Sequence, residues 1–338
     1  MNAFKGAYMM RKLLLAVIAL GLAFGSASAQ NTPKQNSLKK VGILINGGPS
    51  PLYDSVRKNL LADFVQLGYA DSDIVIEPRF AKGRLDQFPA LAAELAAANV
   101  DVILALGGPS ARAAQGATKT IPVIFSIVTD PVALGLVASI DKPGSNVTGI
   151  TSLDREQAKK QFELLKEMFP NIKRVAVLSD KTIPGGDERG WAPIDRANDA
   201  AARSAGIEPQ IVKLKNATEI EGAFAIIKNA EALVVLEVPV PFVNRKRIAD
   251  LAIKNKLPAM FPGGQADANG LVTYGTSVAD TWRRLPSIAD KIFRGASPAE
   301  IPVEFSTRRE LIFNLQTARE IGVTLTPDVL RKADKATQ

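Results

Sequence analysis

DVILALGGPSARAAQ, residues 101–115, decides how the rest of the chain is read. Its aliphatic run is short and unbroken, the pattern of a strand covered on both faces. Gly107 and Gly108 end the run, and Pro109 is suited to the first turn of a helix, where its missing N–H is no loss. The expectation is a strand, a turn and an Ala-rich helix. Two readings of the turn stay open: a tight junction with a routine cap, or an anion site. In the second, the glycines let a ligand approach the backbone. The N–H groups of Ser110, Ala111 and Arg112 then face a carboxylate, with the Ser110 hydroxyl beside them. Neither G-x-x-x-x-G-K-[ST] nor G-x-G-x-x-G is present, so this is not a nucleotide loop.

The same grammar runs outward from this stretch. VGILI (41–45), DIVIEP (73–78), VDVILAL (100–106) and IPVIFSI (121–127) alternate with helical segments at 53–67 and 86–98. DKPGSNVTGIT, residues 141–151, breaks the rhythm, and a crossing between domains is placed inside it. A second series follows, with helices at 154–168, 190–205, 217–229, 243–255 and 278–294 and a last one near 326–336. Its strands are RVAVLS (174–179), EPQIVKL (208–214), EALVVLE (231–237), PAMFP (258–262) and LVTYG (271–275), before IPVEF (301–305) and ELIFNLQTAREIG (310–322). This predicts an α/β chain of two Rossmann-like lobes with parallel sheets, hinged over a cleft. The N-terminal lobe is assigned 39–148 plus 275–300, and the C-terminal lobe 151–270 plus 302–336.

Composition narrows the function. Lys5, Arg11 and Lys12 precede the twelve apolar residues LLLAVIALGLAF, and SASAQ follows. The pattern predicts a signal peptide over 1–29, cut after Ala29, because the apolar run is too short to span a membrane. Residues 30–38 read as a disordered leader. Without the three basic residues of 1–29 the net charge falls from +8 to +5, and no basic run with interleaved aromatics suggests nucleic acid. The 338-residue chain has no Cys and no His. Ser-His-Asp, Cys-His and ordinary transition-metal sites are therefore excluded, and neither a cofactor nor a metal is expected. With no cysteine to carry a lipid anchor, an exported binding protein would need an outer membrane to retain it, which predicts a Gram-negative periplasm.

Ligands of open α/β sheets bind beyond the carboxyl ends of the strands. Asn46, Ser50 and Tyr53 in NGGPSPLY follow the first strand, and Tyr53 could stack on a ligand or pack its own helix. Thr129 and Asp130 follow the fourth. Asp130 could cap a helix opening at Pro131 or pair with a ligand ammonium, and with a carboxylate at 107–111 the latter would define an α-amino acid. The second series contributes Asp180, Trp191, Glu237, Gly263 in FPGGQ, and Tyr274.

VGILINGGPSPLYDSVRKNLLADFVQLGY, the segment from DQFPAL to IPVIF, TDPVALGLVASIDKPGSNVTGIT, RVAVLSD and the tail IPVEFSTRRELIFNLQTAREIGVTLTPDVL resemble a known family. It is the solute-binding components of ABC transporters with the type I periplasmic-binding-protein fold, among them proteins that bind tryptophan and other aromatic amino acids. The resemblance implies three crossings between the lobes and one small ligand held between them. It also implies binding roles for 107–111, Asp130 and 46–53, and a membrane permease as partner. FPGGQADANG departs from the Arg-Glu-Phe-like run of the family. The expectation is a monomeric, non-enzymatic receptor for a small carboxylate-bearing ligand such as an amino acid, aromatic ones included. A ligand-sensing subunit of a membrane signalling receptor is the alternative. An enzyme built on carboxylates such as Asp130 and Glu237 is disfavoured without His, Cys or a metal motif. A sugar-responsive repressor is excluded by the leader and by the lack of a DNA-binding helix pair before Val41.

Overall fold

Alternate residues of VILAL point to opposite sides, and both sides are buried. Val102 and Leu104 pack with Leu60, Phe64, Trp282 and Leu285, whereas Ile103 and Ala105 pack with Phe88, Leu95, Ala111 and Ala114. A strand sandwiched in this way has no polar face, which is why its sequence shows no alternation. The computed structural model describes residues 38–337 apart from 153–155, 184 and 228. The expected signal peptide and residues 30–37 of the expected leader lie outside the described residues.

The first series runs β1 (Lys39–Ile45), α1 (Pro51–Gln66), β2 (Ile74–Phe80), α2 (Phe88–Ala97), β3 (Val102–Leu106), α3 (Gly108–Ala117), β4 (Val123–Val128) and β5 (Val147–Thr151). The second runs α4 (Gln157–Met168), β6 (Arg174–Asp180), α5 (Pro193–Ser204), β7 (Glu208–Leu214), α6 (Ile220–Ile226), β8 (Ala232–Val235), α7 (Pro239–Val243), α8 (Arg245–Lys254), β9 (Ala259–Pro262) and β10 (Val272–Thr276). α9 (Val278–Phe293), β11 (Glu304–Phe305), β12 (Arg309–Asn314), α10 (Leu315–Ile321), α11 (Pro327–Leu330) and β13 (Lys335–Thr337) complete the described chain. One sheet has the order β11-β5-β4-β3-β1-β2 and the other β13-β12-β10-β9-β8-β6-β7. Every pairing is parallel except β10 with β12. These are the two Rossmann-like lobes that the alternation predicts.

The chain passes between the sheets three times, after Thr151, after Thr276 and after Phe305. The first passage lies beyond the 141–151 stretch assigned to it, because VTGIT is a fully buried strand. Its threonines are satisfied inside the sheet: the Thr148 hydroxyl donates to Ile301 O (2.8 Å) and that of Thr151 to Val128 O (2.7 Å). Two further boundaries shift through strand pairing. Residues 275–276 belong to the second sheet, through β12, and residues 304–305 to the first, through β5. Residues 326–336 form the short α11 and β13 rather than one helix. The three passages are tied together, since Ser306 N–H donates to Thr151 O (2.9 Å) and Ser277 N–H to Arg308 O (3.0 Å).

No helix follows β4. Residues 131–135 are turns closed by Leu134 N–H on Asp130 O and by Gly135 at φ +67°, so Pro131 opens no helix. Just before them, the register of β4 on β5 slips between Ser126 and Val128, which leaves Ile127 as an extra, bulged residue. Its φ of +56° lies in the left-handed region, where a β-branched side chain is strained by about 1–3 kcal/mol. Clamps on both sides hold it: Gly107 N–H on Ser126 O (2.9 Å), and Ser152 N–H on Val128 O (3.0 Å).

α9 returns late in the chain to seal the first sheet with Trp282, Leu285, Ile288 and Ala289. Leu285 is fully buried there. Leu285→Ala is therefore expected to lower unfolding stability by about 2–5 kcal/mol in urea titration.

Candidate functional site

Strand order reverses once in each sheet, between β1 and β3 in the first and between β6 and β8 in the second. At such a switch point adjacent loops leave in opposite directions and open a crevice at the carboxyl edge. The loops after β1 and β3 carry Asn46–Tyr53 and the 107–111 corner. Those after β6 and β8 carry residues 180–192 and Glu237.

In the first lobe Gly107 adopts φ +88°, a turn that other residues make only with strain, and caps α3. The N–H groups of Gly108 and Ser110 have no acceptor among the described residues. The Ala111 N–H, by contrast, donates to Gly107 O (3.1 Å) and its methyl lies in the core. The Ser110 hydroxyl is also turned inward, donating to Leu106 O (2.7 Å) with Gly107 O at 2.9 Å. At the corner expected to take an anion, two amides are therefore open, whereas the hydroxyl and Ala111 are engaged internally. Beside it, the Asn46 Oδ1 and the Tyr53 hydroxyl are buried with no partner among the described residues. The Tyr53 ring meets Phe80 edge-on at 4.9 Å, and burial pushes its phenol pKa up. Ser50 accepts the Tyr53 N–H (3.2 Å) as the N-cap of α1. Asp130 accepts the Ala133 N–H through Oδ1 (2.9 Å) and stays half-exposed, capping a turn rather than a helix.

In the second lobe Asp180 is fully buried and engaged on both oxygens. Oδ1 accepts Thr182 N–H and Oγ1–H (2.7 Å each), and Oδ2 accepts the Val240 N–H (2.8 Å). It holds the loop after β6 to α7 and offers no acceptor to a ligand. That loop is pinned again by buried Asp195, which accepts from Ser179, from the Ala192 N–H (2.8 Å) and from Lys213 (2.9 Å). Trp191 is half-buried under the Arg189 guanidinium, 4.0 Å from the ring centroid. Gly263 is required by packing, since a Cβ would stand 2.4 Å from Thr276 O. Tyr274 sits mid-strand with its ring against the second-lobe core.

Glu237 joins the two walls. The Ser152 hydroxyl donates to its Oε2 (3.4 Å), the Thr129 hydroxyl bonds the same carboxyl, and these two hydroxyls lie 3.4 Å apart. A carboxyl from the end of β8 therefore meets groups that follow β4 and β5. Glu237 is half-buried, and desolvation pushes its pKa up to about 7 against the lowering effects of the two hydroxyls and of Arg309.

The model for "ABC transporter substrate binding protein" matches residues 47–337. The chain belongs to that family. A tyrosine-binding protein of Clostridioides difficile is 28% identical over 329 residues, covering 93% of each chain. A Streptococcus pneumoniae ABC domain solved in complex with L-Trp has a TM-score of 0.76 at 24% identity, covering 89% of this chain and all of that one. A conserved domain protein of Vibrio cholerae matches with the same score, identity and coverage. Family and relatives are solute-binding proteins, not enzymes.

Two residues of this substrate-binding protein escaped sequence reasoning. Gln265 is 1% exposed, and neither its Oε1 nor its Nε2 has a partner among the described residues. A buried amide left this way costs stability unless something binds it, and its place after strand-end glycines was the available signal. Ile127 gave none, because αL backbone is not written in an isoleucine.

The Glu237 carboxyl carries a pH signature. Below pH 4.5 it is protonated in both folded and unfolded chains. From there to about 7 only the unfolded chain ionises, so stability falls as pH rises through that window. Glu237→Gln removes the ionisation. In urea titrations it is expected to be near neutral at pH 4 and to stabilise the protein by about 1–3 kcal/mol at pH 8.

Proposed function

We propose that this protein is the periplasmic receptor of an ABC importer, holding an amino acid, with aromatic ones first, between its lobes. One observation carries the reading: unpartnered polar groups gather at a strand-order switch point, namely the Gly108 and Ser110 amides, Asn46 Oδ1 and the Tyr53 hydroxyl. Two main-chain N–H groups at a helix start suit a carboxylate. Asp130, half-exposed, and Glu237, at the junction of the lobes, are the carboxylates suited to an ammonium. Tyr53 and Phe80 supply ring surface at the same edge. The curated relative's tyrosine ligand supports this chemistry. The basic, apolar and A-x-A segments of 1–29 support export.

Capture and delivery follow from differential contact. A ligand touching both walls stabilises the closed arrangement by what it gains over touching one, and the closed form is the one presented to the permease. Glu237 already bonds the first lobe, so a ligand cation would take over a carboxyl that two hydroxyls now hold. The receptor acts as a monomer and needs no cofactor.

L-Tyr or L-Trp at about 100 times its Kd should raise Tm by about 3 °C or more, measured by scanning fluorimetry. The matching amines, which lack the carboxylate, should give no shift. Equal shifts with amine and amino acid would refute the carboxylate corner, and no shift with any amino acid would refute the ligand class.

A further inference from the structure

Five non-glycine residues among those described have positive φ: Lys82, Asn99, Ile127, Lys256 and Asn269. Four are polar, and only Ile127 is β-branched, the side-chain class least suited to this backbone. Its flanking residues are sealed, with Ser126 at 0% and Val128 at 1% exposure, yet Ile127 itself is half-exposed. It joins none of the four apolar cores, neither among their buried members nor among the partly buried side chains packed on them. The fold therefore gains little from this isoleucine and would be relaxed by a glycine.

Its position explains the choice. Ile127 is the bulged residue at the carboxyl end of β4. On one side Ser126 O holds the Gly107 N–H of the amide corner. On the other, two residues on, Thr129 reaches Glu237 and Ser152. A bulge re-aims the side chain it carries. Here it leaves an aliphatic residue at the carboxyl end of the strand, in the chain between the residue that holds the amide corner and the one that reaches Glu237.

We propose that Ile127 is a specificity-determining residue: an apolar wall of the ligand site, kept in a strained backbone because the crevice requires its side chain there. The inference rests on the amino-acid reading of the crevice and deepens it. The wall lies between the group that takes the carboxylate and the group that takes the cation, so it faces the ligand's own side chain. It favours aromatic and large aliphatic amino acids over small or charged ones.

Ile127→Gly and Ile127→Asn both suit left-handed backbone. In the ligand-free protein each should match or exceed the wild-type Tm, because the strain is removed and no core is lost. By isothermal titration, each should weaken L-Tyr and L-Trp binding about tenfold or more, with little change for L-Ala. A marked fall in Tm for both variants would overturn the proposal by making Ile127 a structural residue. Unchanged affinity for the aromatic ligands would overturn it as well. If the wild type binds no amino acid, the functional reading fails separately, and Ile127→Cys then decides the wall. The chain has no other cysteine, so maleimide labels only the introduced thiol. Labelling of the native protein at the rate of an unhindered thiol sustains a crevice-facing side chain, and silence until unfolding overturns it.

Discussion

A parallel sheet with helices on both faces admits a polar side chain along its strands only where the fold supplies a partner, and accommodates it most freely at their ends. In the first lobe the inner residues of β1, β3 and β4 are sealed by α2 and α3 on one face and by α1 and α9 on the other. Their ladder hydrogen bonds leave little unpaired backbone along the strands. Several groups with spare hydrogen-bonding capacity gather at the carboxyl edge, where the chain leaves the sheet. Asn46, the Gly108 and Ser110 amides, Thr129 and Glu237 all lie at such edges, and the architecture concentrates them there.

At those edges, residues engaged by the scaffold separate from residues that keep unmatched polar atoms. Asp180 and the Ser110 hydroxyl occupy edge positions, yet their oxygens are taken by neighbouring backbone and side-chain groups. They build the corners. Asn46 and Gln265 keep buried polar atoms unmatched among the described residues, a state that proteins tolerate where water or a ligand completes the site. Glu237 stands between these classes. It has partners, but desolvation raises its pKa by more than the Ser152 and Thr129 hydroxyls and Arg309 lower it. A carboxyl in that condition gains from meeting a cation, and its contact with Thr129 and Ser152 makes that gain depend on how the lobes meet.

Much of the architecture is legible in local sequence because the signals are local. An unbroken apolar run of strand length, two glycines and a proline specify strand, turn and helix at 102–117, and the repetition of that unit implies parallel sheets. The misplaced features were those in which distant partners override composition. VTGIT resembles a loop until Ile301 and Val128 accept from its threonines, and Pro131 resembles a helix start until the β4 bulge redirects the chain into turns. At the site, glycines and caps could be read ahead, whereas the direction of each side chain could not.

The order of residues alone determined the alternation of strands and helices, the absence of His and Cys chemistry, and the loops at which a ligand could bind, because each depends on neighbours within a few positions. Tertiary structure alone decided that Asp180 is engaged internally, that Ile127 stands in strained backbone outside every core, and that Glu237 meets Thr129 and Ser152. Those outcomes depend on residues 23 to 108 positions apart brought together by sheet order, and no local pattern encodes such a meeting.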